Sequence, residues 1–381
     1  MLLLTLLASL VLGTLIVADV LYVDEAVNTN PVTDHTDNEL YIQRAESIMA
    51  GKLLYRDVET QTPPLINYLL VPPVAFGASA LAFELYFSSF IIMTTLALFL
   101  VLSRIDEALA FRASLAFLLV PTTLITPVFA RQDESIVVFF ILLPVLMVYV
   151  SRSRNGYSVL TALGVWIKMH SVFLIPPLLL KSRRQQLFQE LAIMGTITLA
   201  ITVPFFVLAF DEFVWHLRFY LLGESNSTLQ GISLWRIMDA ESIGVPSLLL
   251  IGIMGVILLI IYKWSYRHNA GIWKTVALTL IVYFIMYPKV HYEYFLILFA
   301  ILIPLLIESK KAVGMLYGIS VLSGITLLIE QRYLDWQVAV AHDSIMVPLA
   351  ALCMVAIDIM LIFLFRELLM TRNWLDRKPL F

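Results

Sequence analysis

The sequence predicts an all-α fold, a polytopic transmembrane helix bundle. Of 381 residues, 60% are hydrophobic and only 14% are charged, with a mean hydropathy of +0.90. A soluble domain cannot be covered with so little polar surface. Apolar runs recur along the whole length, many near the roughly 20 residues that a helix needs to cross a hydrocarbon core. The short alternating segments that a β-barrel would show are not visible. A net charge of −3 implies no nucleic-acid partner. The single cysteine, Cys353, excludes an intrachain disulfide and a cysteine-based metal site.

The chain opens on "MLLLTLLASLVLGTLIVADVLYV". No basic residue precedes this apolar run, so 1–22 reads as a retained first helix rather than a cleaved signal. Further spans fall at 81–103, 108–129, 135–151, 187–210, 244–262, 272–287, 291–307, 312–329 and 345–366. That makes about ten in one integral-membrane domain, 1–381.

The stretch 157–180 has enough residues to cross once but not twice. The positions of Lys and Arg decide how it sits. With a cytoplasmic N-terminus, Arg104, Arg112, Arg152, Arg154, Lys263, Arg267, Lys274, Lys310, Lys311, Arg366, Arg372, Arg377 and Lys378 share the inner side only if 157–180 enters and leaves on one side. The same choice puts Lys181, Arg183 and Arg184 there. So 157–180 is read as a re-entrant hairpin with "KMHS" at its tip, a break that is tolerated where it lines a protein cavity. The alternative is one ordinary span with Lys168 paired to a buried acid.

The external segments are then 23–62, 130–134, 211–243, 288–290 and 330–344. The first is acidic, with Asp24, Glu25, Asp34, Asp37, Glu39, Glu46, Asp57 and Glu59 against Arg44, Lys52 and Arg56, a net of −5. In it, "TDNE" reads as a capping box of Thr36 with Glu39, opening a short amphipathic helix that ends at Gly51. The pairs Pro63-Pro64 and Pro72-Pro73 then predict an interrupted helix returning to the bilayer. "ARQDES" supplies Arg131 and Asp133, with Glu134 read as a solvated turn residue. "FVWHLRFY" supplies His216 and Arg218, and "YPKVHYEYF" supplies Lys289, His291, Tyr292 and Glu293. Asn226-Ser227-Thr228 matches the N-glycosylation triplet.

Four segments thus bring cations to one side, beside an acidic loop. Lys and Arg lining a cavity suit a phosphate or phosphodiester, and a nearby carboxylate suits a general base. Plainer readings stand next to these. Asp37 sits where a simple helix cap would sit, and the aromatic and basic residues of "YPKVHYEYF" match an interfacial belt. No His pair has ligand spacing, and no nucleotide-binding motif is present.

The order of these features resembles the GT-C superfamily of membrane glycosyltransferases, which use polyprenyl-phosphate sugars. The likeness rests on "DNELYIQRAESIMAGKLLYRDVETQTPPLINYL", then on "RQDE", "WIKMHS…KSRR" and "YPKVHYEY". It implies inverting transfer of a hexose such as mannose at the extracytoplasmic face of the plasma membrane. The donor would be a lipid-linked sugar and the acceptor a glycan or lipid. It further implies that Asp37 is the base and that Asp133 orients a substrate. Many members carry a second acid where this chain has Asn38, so Asp34 and Glu39 stay open as alternatives. By charge, Lys168, His170, Lys289, His291 and Arg218 are candidates for the donor phosphate, with Arg131 and Tyr292 as further substrate-binding candidates. No cofactor is required, and a divalent cation between Asp37 and Asp133 stays open. A rival class is a transporter or lipid flippase, against which stands the lack of an internal repeat.

Overall fold

A computed structural model describes residues 1–23, 36–151, 153–222, 231–333, 336–342, 345–371 and 374–377. Asp24, Glu25, Asp34, Arg152, the triplet Asn226-Ser227-Thr228, Arg372 and Lys378 lie outside the described residues, as do the side chains of His216 and Arg377.

Nineteen helices are described. In chain order they are α1 (Leu2–Ala18), α2 (Asn38–Met49), α3 (Pro64–Leu69), α4 (Val71–Ala75), α5 (Ala80–Leu102), α6 (Glu107–Leu118), α7 (Pro121–Ile125), α8 (Glu134–Val150), α9 (Asn155–Ile167) and α10 (Ile175–Leu179). There follow α11 (Arg184–Leu208), α12 (Phe210–Leu222), α13 (Leu234–Ala240), α14 (Ser247–Arg267), α15 (Ile272–Met286), α16 (Phe295–Leu306), α17 (Lys310–Tyr333), α18 (Trp336–His342) and α19 (Met346–Met370). Among the described residues the one β feature is an isolated bridge between Leu54 and Val58.

Six helices are long and apolar enough to cross a membrane: Leu2–Val23, which extends α1, and α5, α11, α14, α17 and α19. They form the periphery, with only 17% to 50% of their apolar windows buried, and they carry exposed Leu, Ile, Val and Phe that suit contact with lipid. The shorter apolar helices lie inside. Every residue of α16 is buried, and α15 is buried from Ile272 to Phe284. A helix that is apolar all round belongs in such a place. The carbonyl of Pro304, in the last turn of α16, accepts the Trp374 indole N–H at 2.7 Å, which satisfies one of the groups that a helix end leaves open.

The unbroken helix expected over 108–129 is interrupted. Pro121 has no N–H to donate and restricts Val120 to an extended conformation, with ψ 131°. The ladder stops at Leu118 and restarts as α7. Thr122 recovers partners across the bundle, its N–H 3.0 Å and its hydroxyl 2.8 Å from the Ser320 hydroxyl.

The segment from 154 to 182 folds back on itself. α9 ends at Ile167, Lys168 is extended, residues Met169–Leu174 form a 3-10 helix, and α10 completes the return. The 13 residues of α9 rise ~20 Å, and the 11 that follow return ~20 Å because six of them take the longer 3-10 rise. Both ends therefore meet. The Arg154 guanidinium donates to the carbonyls of Leu178 at 2.5 Å and Lys181 at 3.0 Å, and to the Ser182 hydroxyl at 2.9 Å. It also pairs with Glu190 at 2.5 Å.

Basic residues gather at this end of the bundle. Lys274 donates to the Thr371 carbonyl at 3.0 Å and Arg112 to the Ile307 carbonyl at 3.2 Å. The opposite end holds the polar cavity.

Candidate functional site

A cavity of ≈ 620 Å³ opens at the end of the bundle away from these basic residues. Its first wall is α2. The helix starts at Asn38 with Asp37 as N-cap in place of the expected Thr36, and the Asp37 side chain makes no cap bond. Instead Asp37, Tyr41 and Arg44 line the cavity together, as residues spaced i, i+4 and i+7 on a helix share a face. The Asp37 carboxyl is bonded by the Gln132 side chain. Its pKa is raised above the ordinary 3.8, first by burial and then by the charge of Asp133.

The second wall is the turn before α8. The Tyr41 hydroxyl donates to Gln132 Oε1 at 3.1 Å and accepts the Asp133 N–H at 3.3 Å, which ties this turn to α2. The hairpin tip makes the third wall. Lys168 Nζ lies 3.1 Å from Asp133 Oδ1 and 2.6 Å from Glu134 Oε1. Glu134, expected to be solvated, is 1% exposed. It has to be buried because it opens α8 against the hairpin tip, and Lys168 balances it. The His170 Nε2 meets the Tyr283 hydroxyl at 2.8 Å, and its ring stands edge-on to Tyr294, with centroids 4.5 Å apart.

Pro288 to Tyr294 form the fourth wall, and Lys289, His291, Tyr292 and Glu293 line the cavity there. Burial, with Arg236 nearby, lowers the Lys289 pKa to about 8. This turn is clamped from behind by residues 231–236. The Val290 carbonyl accepts the Ile232 N–H at 2.7 Å, the Pro288 carbonyl accepts the Ser233 hydroxyl, and the Trp235 indole donates to Ile285 at 2.6 Å. Gly231 has φ +104°, and a Cβ there would sit 2.9 Å from the Val290 oxygen, so only glycine fits without strain. Its N–H is received by Glu330 at 2.5 Å. The fifth wall, Ile251 and Met254 from α14 and Leu327 from α17, is apolar.

Seven of the nine candidate residues thus line one cavity: Asp37, Asp133, Lys168, His170, Lys289, His291 and Tyr292. Two do not. Arg131 points away, pairing with Asp19 at 2.8 Å and Glu84 at 3.1 Å in a buried triad that joins the first helix to α5. Two buried carboxylates need a cation, and Arg131 pairs with both. Arg218 on α12 is exposed and outside the cavity lining.

Arg44, Tyr41, Gln132, Tyr283 and Glu330 line the cavity without having been singled out. Only the i, i+4, i+7 spacing from Asp37 marked any of them in the sequence. Among the described residues no cluster of three or more His, Cys, Asp or Glu groups is placed to hold a metal ion.

No protein-family model matches the chain, and no curated protein matches it.

Proposed function

We propose that the chain is a membrane glycosyltransferase of the GT-C type. It would move a hexose from a polyprenyl-phosphate donor to a glycan or lipid acceptor at the extracytoplasmic face of the plasma membrane. The observation that carries this reading is Asp37. It occupies a helix N-cap without capping, faces a cavity large enough for a sugar, and shares the lining of that cavity with Lys289 and His291. A carboxyl with a raised pKa is the stronger base.

Asp37 takes the proton of the acceptor hydroxyl, and the acceptor oxygen attacks C1 of the sugar. The bond from C1 to the phosphate oxygen breaks on the opposite face, and its electron pair leaves with the polyprenyl phosphate. The configuration at C1 inverts. Lys289, with Arg44 on α2, offsets the growing phosphate charge, and the neutral His291 ring gives an N–H to a phosphate oxygen. Lys168 is shared by Asp133 and Glu134, so its role here is to position Asp133. The apolar fifth wall suits the first units of the lipid tail. The orientation follows from the sequence reading of about ten crossings plus a re-entrant hairpin at 157–180, in which the positive-inside rule puts the basic end in the cytoplasm and the cavity outside.

The test is release of polyprenyl phosphate from labelled polyprenyl-phosphate-mannose by purified protein with a mixed glycan and glycolipid extract. Asp37→Asn should lower acceptor-dependent release by about 10²–10⁴-fold. Release that survives the substitution moves the base to Glu39, Asp133 or Asp34. No release from any of a panel of lipid-linked sugars would favour the transporter reading.

A further inference from the structure

A second cavity, ≈ 260 Å³, lies at the basic end of the bundle, between the start of α17 and the end of α19. It takes no part in the site above. Its polar lining is Ser309, Lys311, Arg366 and Glu367, and its apolar lining includes Met315 and Phe363. Lys311 reaches across the groove, with Nζ 5.9 Å from the centre of the Phe363 ring on α19. The Ser309 hydroxyl accepts the Ala312 N–H at 3.3 Å in the first turn of α17.

Both helices are peripheral, and two apolar residues of α19 that line the groove, Phe363 and Met370, are exposed. The groove therefore opens toward lipid. Its volume lies below the ~300–1,000 Å³ of pockets that enclose a whole small molecule. It suits a headgroup whose chains remain in the bilayer.

The charges are asymmetric. Lys311 and Arg366 offer an ammonium and a guanidinium fork, the two groups that bind phosphate. Glu367, next in the chain to Arg366, offers an acceptor for a second, cationic group. A headgroup with phosphate alone would leave Glu367 opposed to it, whereas one that also carries a primary ammonium satisfies all three. A quaternary ammonium has no N–H to give Glu367.

We infer that this groove binds the headgroup of a phosphoethanolamine lipid, with its phosphate on Lys311 and Arg366 and its ammonium on Glu367. The inference does not depend on the glycosyltransferase reading, and its test needs no turnover.

Full-length protein in detergent would be mixed with palmitoyl-oleoyl phosphatidylethanolamine, phosphatidylcholine or phosphatidylglycerol, and bound lipid counted by native mass spectrometry. Phosphatidylethanolamine should be retained in preference to both others. Lys311→Gln with Arg366→Gln should weaken that retention about tenfold, the effect of losing one charge-assisted contact or more. Glu367→Gln should abolish the preference over phosphatidylcholine. Lys310→Gln, beside the groove but outside its lining, should change neither. The substituted side chains are exposed or half-buried, and an unchanged lipid-free melting temperature would show that the variants fold. Equal retention of the three lipids by the parent, or unchanged retention by the folded double variant, would overturn the inference.

Discussion

Lys168→Met should destabilise the protein strongly, and for a reason that can be worked from the structure. The Lys168 ammonium is within 3.1 Å of Asp133 and 2.6 Å of Glu134, and the three side chains are 8%, 3% and 1% exposed. Methionine keeps the length and most of the volume, so the change removes the charge and its hydrogen bonds and little else. Two neighbouring carboxylates are then buried without a cation. Breaking a buried pair by removing one partner costs about 3–5 kcal/mol. The upper end applies here because the acids also repel each other, and the loss is bounded because one acid can bind a proton instead. The double variant Lys168→Met, Glu134→Gln leaves a single carboxylate and should recover about 1–3 kcal/mol of that loss. The measurement is unfolding by titration of a denaturing detergent into mixed micelles, followed by the fluorescence of the seven tryptophans. A loss under about 1 kcal/mol, the value of an exposed pair, would refute the reasoning. It would mean that the acids are hydrated and that the lysine charge is available to a ligand.

Transfer activity should follow a bell-shaped pH profile. Asp37 must be deprotonated to accept a proton, so the rate rises with pH through a midpoint above the ordinary 3.8. Lys289 must be protonated to hold phosphate, so the rate falls as pH passes about 8. Lys289→Arg should remove the alkaline fall, because a guanidinium stays charged; an alkaline limb that stays in place would take Lys289 out of the site. Gly231→Ala puts a Cβ against the Val290 oxygen in a left-handed backbone and should cost about 1–3 kcal/mol in the same unfolding assay, with an unchanged midpoint showing that the clamp on the 288–291 turn is loose. Cysteines at Ser153 and Ser182 should both react only from the cytoplasmic side, since the two ends of the 154–182 segment meet at Arg154; labelling from opposite sides would rule out a hairpin.

Several features of the site are visible in the chain before it folds. Asp37, Lys168 and Lys289 stand out because charges beside apolar runs are rare and costly. Local chemistry also shows where helices start, as at Pro63-Pro64, which opens α3, and Pro72-Pro73, in the first turn of α4. What local pattern cannot show is which acid meets which base. Arg131 and Lys168 look alike as cations near one face, yet Arg131 turns to Asp19 and Glu84 while Lys168 meets Asp133 and Glu134. Asp19 is 112 residues from Arg131, and nothing in either segment names the other.

By itself the sequence determined that this chain is a helical membrane protein with most of its charges outside the apolar runs. Burial of apolar residues and the cost of unpaired backbone in lipid leave few other solutions, and both follow from composition and run length alone. Only the tertiary structure decided which charges are neutralised in the interior and which face the cavity. That outcome depends on contacts between residues far apart in the chain, and in a low-dielectric interior a shift of a few ångströms changes a charge from a ligand for substrate into a partner for another side chain.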